Sequence, residues 1–591
     1  YEIPLCDWSS DVCSSDLKII QPIIFTLVCL FALNVNVTYA VDAGAIMKQE
    51  TDIQNRLSLP DSIPTNLLDL EKPEQQKGNG LTILVKRFVL KGEINVVSEE
   101  KLQDLIADLL DKPLSFQQIQ SAADRINRYY TEQGYFLAQA IIPKQEVVDG
   151  TIVIYITEGK LDKEEPIKIN PSKLRLKESA VKRYIDQALS KNLKQASLER
   201  GILNLNDNPG ITSSASLEPG KEAGSTKIVL DVSEGPLLDG SVVADNFGSR
   251  YTGSERVSAN LNLNNPSGYG DGFNFSGVTA VEQKFDMLKI GYGLPIGRSG
   301  LRGNLSYTDL FFKLGKTLKP LNGVGHSRNW SYGLTYPIYR SAETALMLAG
   351  GYDWKASYNE MGGAATSDKR TNVFNGGLTL SHVDKILGGG FTQLQTAYVV
   401  GDIDLSRNAS NYAADQDVGG AKTDGKYQKS TFQLVRIQRG TEHLSFQGLL
   451  GGQYAQTNLD GGEKFMLGGP AGVRAYPAGE ASGDHGYRLS LDAKYALATG
   501  TRVGDIVLST FYDYGKIWQY ENTSLITDLT NNSYHLSGWG VGMDVVAVGK
   551  YTLKTGWAKA IGSNPGRAAD GNNSDGLSHQ SRWWLMGNVS F

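Results

Sequence analysis

Trp583-Trp584-Leu585-Met586-Gly587-Asn588-Val589-Ser590-Phe591 closes the chain with a two-residue period. Trp583, Leu585, Gly587, Val589 and Phe591 fall on one side, and Trp584, Met586, Asn588 and Ser590 on the other. A strand with one face in lipid and the other in a lumen needs this alternation, because its side chains point to opposite faces in turn. The pattern recurs upstream. Val257, Ala259, Leu261 and Leu263 oppose Arg256, Ser258, Asn260 and Asn262. Trp539, Val541, Met543 and Val545 oppose Gly538, Gly540, Gly542 and Asp544, and Tyr551, Leu553, Thr555 and Trp557 oppose Thr552, Lys554 and Gly556. With the polar rows inward, the outer rows offer lipid only apolar, aromatic and threonine side chains. At about 10 residues per tilted strand plus turns, residues 236–591 have room for roughly 16 antiparallel strands in a membrane β-barrel. Closure satisfies every backbone polar group in a medium without water. The polar stretches 364–371, 408–426 and 564–580 read as long loops on one rim, with short turns on the other.

Composition agrees. The chain has 591 residues, a net charge of −5 and 20% charged residues, a balance that disfavours a nucleic-acid partner. Its 66 glycines suit turns and bends of strands. The strongest apolar run, 19–33, follows Lys18 and leads to Val37-Thr38-Tyr39-Ala40, the layout of a secretory signal at 18–40 cut after Ala40. Residues 1–17 do not fit that layout and read as a non-native leader. Cys6, Cys13 and Cys29 all precede the cut, so the mature chain is expected to hold no disulfide, thiolate metal site or catalytic cysteine.

Between leader and barrel, residues 41–58 read as a polar helix over Ala43–Leu57 with sparse apolar positions Ile46, Ile53 and Leu57. A flexible tether, 59–80, follows, broken by Pro60, Pro64, Pro73 and Gly78-Asn79-Gly80. Residues 81–161 form one compact unit. It has a strand over 81–90 and a helix capped by Ser98 with Leu102, Leu105, Ile106, Leu109 and Leu110 on one face. A second helix opens on the capping box Ser115/Gln118 and ends at Gly134, and strands over 135–142 and 151–157 follow. Residues 162–235 repeat the β-α-α-β-β order, with strands at 167–169, 211–217 and 226–232, one helix through Val181 and Tyr184, and another starting at Ser197. A sheet with an open edge can take up an extended peptide as a further strand.

Two such units ahead of a barrel resemble POTRA domains. Gly134-Tyr135, Ile142-Pro143 and Glu158-Gly159 are similar to the first unit of two-partner secretion transporters, and Asn206-Asp207-Asn208-Pro209-Gly210 and Glu234-Gly235-Pro236 to the second. Within the glycine-rich stretch from Gly468, Val473-Arg474-Ala475-Tyr476 resembles the VRGY/VRAY signature of the sixth extracellular loop in the BamA-related superfamily. Ala475 stands where many members carry glycine. Phe511-Tyr512-Asp513-Tyr514-Gly515 resembles that superfamily's F-x-D-x-G strand motif. Residues 245–253 and 265–271 are similar to the first hairpin of FhaC/ShlB-type transporters. Parity alone turns Asp513 inward with Ser509, Phe511 and Gly515, and an arginine fork suits a carboxylate in a confined lumen.

The resemblance identifies the chain as a member of the haemolysin secretion/activation type. It implies an outer-membrane pore that secretes, and could activate, a large partner exoprotein such as a haemolysin or adhesin, without nucleotide. Its POTRA units would lie in the periplasm and bind the unfolded exoprotein. Val473, Arg474, Tyr476, Phe511, Asp513 and Gly515 would lock the loop to the barrel, and the helix at 41–58 would plug the pore. Phe591 would be the C-terminal signal read by the barrel-assembly machinery, and the barrel's outer face would meet outer-membrane lipid. No nucleic acid is expected as a partner. An outer-membrane insertase, which usually carries more POTRA units, and a passive porin stay open as alternatives. No phosphate-binding loop, nucleophile elbow or zinc-protease motif is present. His326, His382, His443, His485, His535 and His579 are scattered without metal-ligand spacing. No enzyme activity, cofactor or metal is therefore expected. Asp484 and His485 read as solvated loop polarity.

Overall fold

The computed structural model describes residues 42–63, 82–171, 173–185, 194–222, 225–282, 284–527, 529 and 531–591. The leader 1–17 with Cys6 and Cys13, the signal 18–40 with Cys29, and tether residues 64–80 lie outside the described residues.

Sixteen strands, from Leu238–Asp245 to Ser581–Ser590, form one closed antiparallel barrel. Closure joins the first strand to the last over Ser241↔Ser590 to Asp245↔Met586. Phe591 extends this seam: it and Gly240 exchange backbone hydrogen bonds of 3.0 Å in both directions. Its ring points outward beside Trp583 and Val589, all three more than half exposed to the lipid side. Arg256, Ser258 and Asp513 are buried inside, as their parity requires.

The stretch 364–371 is not a loop. It opens the long strand Ala364–Asp384, joined to Thr344–Met361 by Gly362 and Gly363 alone. Here the strands continue beyond the apolar belt, so outward positions such as Asp368 and Arg370 are polar as well. Ser367, Lys369 and Thr371 still turn inward and are buried. Period-two polarity disappears where neither face meets lipid. Within 408–426, Asn408 caps a helix over Ala409–Gln416.

The first α+β unit sets Arg87–Gly92 parallel to Thr151–Thr157, which pairs antiparallel with Gln139–Ile141. Leu102, Ile119, Ile126, Tyr130, Ile152, Ile154 and Ile156 fill its core, and the Ser115/Gln118 capping box is formed. The strand expected over 81–90 breaks at Lys86, because the Gly150 carbonyl accepts from the Lys86 and Arg87 amides at 2.8 and 3.3 Å. The segment before the break, Thr82–Val85, pairs instead with Lys112–Ser115. The Ser98-capped helix ends at Asp104, and a 3-10 turn over Ala107–Leu109 replaces its last turn.

In the second unit, Ser225–Glu234 pairs with Lys160–Leu161, Ile167–Asn170 and Ile211–Pro219. Its later helix starts at Gln195, two residues before Ser197, without a side-chain cap. The Gln195 amide donates to the Gly134 carbonyl of the first unit at 2.9 Å, so a tertiary contact supplies what a capping side chain would have. This unit also docks on the near rim, the end at which the chain enters the barrel. Arg340 meets Asp207 at 2.7 Å, Arg302 donates to Asn208 Oδ1 at 2.8 Å, and Arg200 donates to the Pro337 carbonyl at 2.7 Å.

Candidate functional site: a loop and a helix inside the barrel

Residues 456–484 connect two neighbouring strands at the far rim yet fold into the lumen. Gly472 makes the turn possible: a Cβ there would lie 1.7 Å from the Leu467 carbonyl oxygen. The Val473 amide donates to that same oxygen at 2.6 Å. Val473, Ala475 and Tyr476 are buried against Leu467, Phe511 and Leu536. A Cβ on Gly538 would stand 2.6 Å from that of Ala475, so the wall is bare where the loop leans on it.

Arg474 reaches Asp513 through three bonds. Its backbone N–H donates to Oδ2 at 3.0 Å, its Nε to Oδ2 at 2.8 Å and its Nη2 to Oδ1 at 2.7 Å. The guanidinium also donates to Asp492, from Nη1 at 2.8 Å and Nη2 at 3.3 Å, and lies 3.5 Å from the Phe511 ring centroid. The Trp584 indole donates to the Arg474 carbonyl at 2.7 Å, tying the loop to the last strand as well. Gly515, two residues beyond Asp513, leaves room for Leu467: a Cβ there would meet Leu467 Cδ2 at 2.5 Å. One cation thus answers two carboxylates at a fork geometry that lysine cannot reproduce.

Asp492 did not figure in the sequence expectation. Its signal is the inward row Arg488, Ser490, Asp492, Lys494 on the strand His485–Thr501, alternating with Leu489 and Leu491. Glu480 also went unnoticed. It is buried on the loop, accepts from the Ser574 amide at 2.6 Å, and is held by the Asn564 amide group, which pins the loop to 561–580. Burial raises the Glu480 carboxyl above its ordinary range. Burial and the nearby Glu480 carboxylate push the Tyr476 hydroxyl up to about 12. Asp484, expected to be solvated, is fully buried: it takes the Lys464 ammonium at 2.6 Å and the amides of Leu459 and Glu521. The charge on Lys464 draws it out of solvent.

The helix α1 (Ala43–Leu57) lies in the same lumen. Asp42 caps it, accepting from the Ala45 amide at 2.9 Å. The cap also meets Lys369 at 2.5 Å, and Lys369 meets Asp460 of the loop at 2.7 Å. Midway, Glu50 pairs with Arg256 at 2.5 Å, and Asp245 takes the same guanidinium at 2.9 Å; all three groups are 1–2% exposed. Beyond the helix, Asp61 meets Lys554 at 2.6 Å, and Leu59 and Ile63 pack on the near-rim wall. The first residues of the expected tether are therefore held in the lumen. Gly44 and Gly462 approach closely: a Cβ on Gly44 would lie 3.5 Å from Gly462 Cα. One cavity between helix, loop and wall, lined by Arg56, Arg474, Asp492 and Lys554, measures about 170 Å³. That is room for a few waters, not for a polypeptide.

Comparison with known proteins follows this geometry. The family model for haemolysin secretion/activation protein ShlB/FhaC/HecB matches residues 224–545, and that for the ShlB-type POTRA domain matches 83–159. The heme/hemopexin transporter protein HuxB of Haemophilus influenzae strain 86-028NP is 26% identical over 478 residues, covering 79% of this chain and 82% of its own. The outer membrane transporter CdiB of Dickeya dadantii is 22% identical over 463 residues, covering 77% and 79%. The solved structure of CdiB from Escherichia coli shares the fold at a TM-score of 0.69 and 19% identity, over 92% of this chain and 98% of that one.

Proposed function

The chain belongs to the haemolysin secretion/activation protein family ShlB/FhaC/HecB, and from that premise we propose that it is the outer-membrane pore through which one large partner exoprotein leaves the cell. Outer-membrane placement puts the α+β units in the periplasm and the loop 456–484 on the extracellular side. The near rim is periplasmic and the far rim extracellular.

The observation that carries this reading is the filled lumen. A porin needs an open passage, whereas here a helix and a loop occupy the barrel, tied to its wall by ion pairs as well as by apolar contacts at Ala43, Ile46 and Val473. The pair just beyond the helix, Asp61 with Lys554, is partly exposed and exchanges at modest net cost, whereas the Glu50–Arg256 pair is dry and gives way only to a competing charged occupant. A helix so held can leave without the barrel unfolding. The exoprotein enters unfolded, near its N-terminus, by adding a strand to an open sheet edge of the POTRA units. Arg474 and Asp513 keep the loop in the position that lets cargo pass, and α1 vacates the lumen. No nucleotide is available outside the inner membrane, so folding of the cargo at the surface makes passage irreversible. The barrel-assembly machinery reads the final strand and Phe591.

The test is cargo in the medium. The chain is co-expressed with a candidate large exoprotein from the same genome, as wild type and as Arg474→Ala, with barrel insertion checked in both. The reading expects cargo outside only with wild type while both barrels insert. Normal secretion by Arg474→Ala removes the loop's role, and retention in both cases favours an insertase.

A further inference from the structure

Where the second α+β unit meets the barrel, a cleft of about 550 Å³ opens between the helix Glu178–Ile185 and the periplasmic end of the strand Phe285–Ile296. That size lies within the roughly 300–1,000 Å³ of small-molecule sites. Its lining is divided by chemistry. Leu294 and Ile296 stand on the barrel's outer, lipid-facing row, each 39% exposed. Arg183 from the helix and Arg298 from the adjoining turn face the same space, with the Ser179 hydroxyl beside them.

Glu178, the acid on the same helix, is engaged by Lys182 at 2.5 Å. Neither Arg183 nor Arg298 has a carboxylate partner among the described residues; Arg183 lies only near the Tyr269 ring, 6.0 Å from its centroid. Lys177 adds a third cation 3.8 Å above that ring. Two guanidiniums, a lysine and an aromatic thus gather at the periplasmic rim, directly below an apolar outer wall. This is the depth at which the phosphates of the inner leaflet lie, and an aromatic at that depth belongs to the interfacial belt of membrane proteins.

We propose that this cleft binds one anionic glycerophospholipid of the periplasmic leaflet, its phosphate on Arg183 and Arg298 and its acyl chains along Leu294 and Ile296. Guanidinium forks match phosphate oxygens bidentately. The apolar row supplies what a free phosphate would not use, which is why a lipid is the fitting occupant. A lipid so placed bridges the docked unit and the barrel.

The test uses the full chain, purified in detergent and titrated with phosphatidylglycerol, with bound lipid counted by native mass spectrometry. Phosphatidylcholine and millimolar inorganic phosphate serve as the other arms. Wild type is expected to retain one phosphatidylglycerol, to hold phosphatidylcholine poorly, and to keep its lipid in inorganic phosphate. The Arg183→Gln/Arg298→Gln variant should bind phosphatidylglycerol on the order of tenfold more weakly, given the contribution of each cation near an anionic headgroup. Arg298→Gln alone, in an exposed turn where folding is not at stake, should move the same way by less. Equal retention by wild type and both variants, equal retention of the two lipids, or displacement by inorganic phosphate would each overturn the proposal. Lipid retention is read without cargo, so the outcome is independent of secretion.

Discussion

At the scale of single residues, Arg474 is asked to satisfy two carboxylates unequally. Asp513 accepts three bonds from it, one of them from the backbone, whereas Asp492 accepts two and one of these is 3.3 Å long. Asp513→Ala should therefore loosen the loop more than Asp492→Ala. Asp513→Ala leaves the Arg474 guanidinium, 17% exposed, with Asp492 alone, so the loss falls below that of a buried charge left wholly unpartnered, about 3–5 kcal/mol. Hydrogen exchange across 465–480 measures the order of the two; a reversed order would contradict the assignment. Tyr476 gives a sharper contrast. Its hydroxyl is buried without a hydrogen-bond partner among the described residues, so Tyr476→Phe should be neutral or slightly stabilising. Tyr476→Ala opens a cavity and should cost about 3 kcal/mol or more. The thermal midpoint of the purified barrel separates these outcomes. Arg474 and Asp513 were legible because each stands in a motif and Asp513 has unambiguous parity. Asp492 has the same parity, but pairing it with the loop requires the register Asp492↔Phe511, which sequence alone does not supply.

At the scale of elements, α1 and the loop 456–484 behave as one inserted body. Asp42 and Asp460 share Lys369, so the helix start and the loop base depend on one ammonium. The Glu50–Arg256–Asp245 cluster then fixes the middle of the helix. Glu50→Ala leaves the Arg256 guanidinium with Asp245 alone in a dry site, a change that disfavours the docked helix by about 3 kcal/mol. In planar bilayers this variant should open more often or for longer than wild type, and unchanged conductance would count against a plugging role for α1. The helix was readable because the stretch is helix-permissive and Pro60 stops it; the Asp42 cap that fixes its start emerged with the structure. What the helix touches was not readable, because contacts separated by hundreds of residues, such as Glu50 with Arg256, leave no local trace. The strand over 364–371 was misread for a different reason. Alternation marks a strand only where one face meets lipid, and these residues rise above it. Gln195 shows the same limit at a helix start, where a neighbouring unit replaced the cap.

At the scale of the whole molecule, a closed barrel removes every exposed strand edge, and the α+β units keep theirs. The second unit is fixed to the periplasmic rim through Asp207, Asn208 and the backbone at Pro337. Replacing Arg340 and Arg302 together by Ala should free that unit to move while the barrel stays folded. Protease sensitivity of 162–235 would rise, and unchanged sensitivity would mean that the contacts do not hold it. Barrel class, two preceding units and the lumen motif were all legible, since each rests on periodicity or short-range signals. A filled lumen was implied by the resemblance, but the long-range ion pairs that hold the helix there are displayed only by the structure.

The central claim is that cargo passes only after α1 leaves the lumen. A Cβ on Gly44 would lie 3.5 Å from Gly462 Cα, and one on Gly462 3.3 Å from Gly44 Cα, a proximity that a disulfide through Gly44→Cys and Gly462→Cys spans with a small backbone adjustment. The measurement is secretion by this variant, oxidised and then reduced in the same cells. The account predicts that cargo stays inside while the bridge is intact and appears in the medium once it is reduced. Secretion at the wild-type rate with the bridge demonstrably formed would contradict it.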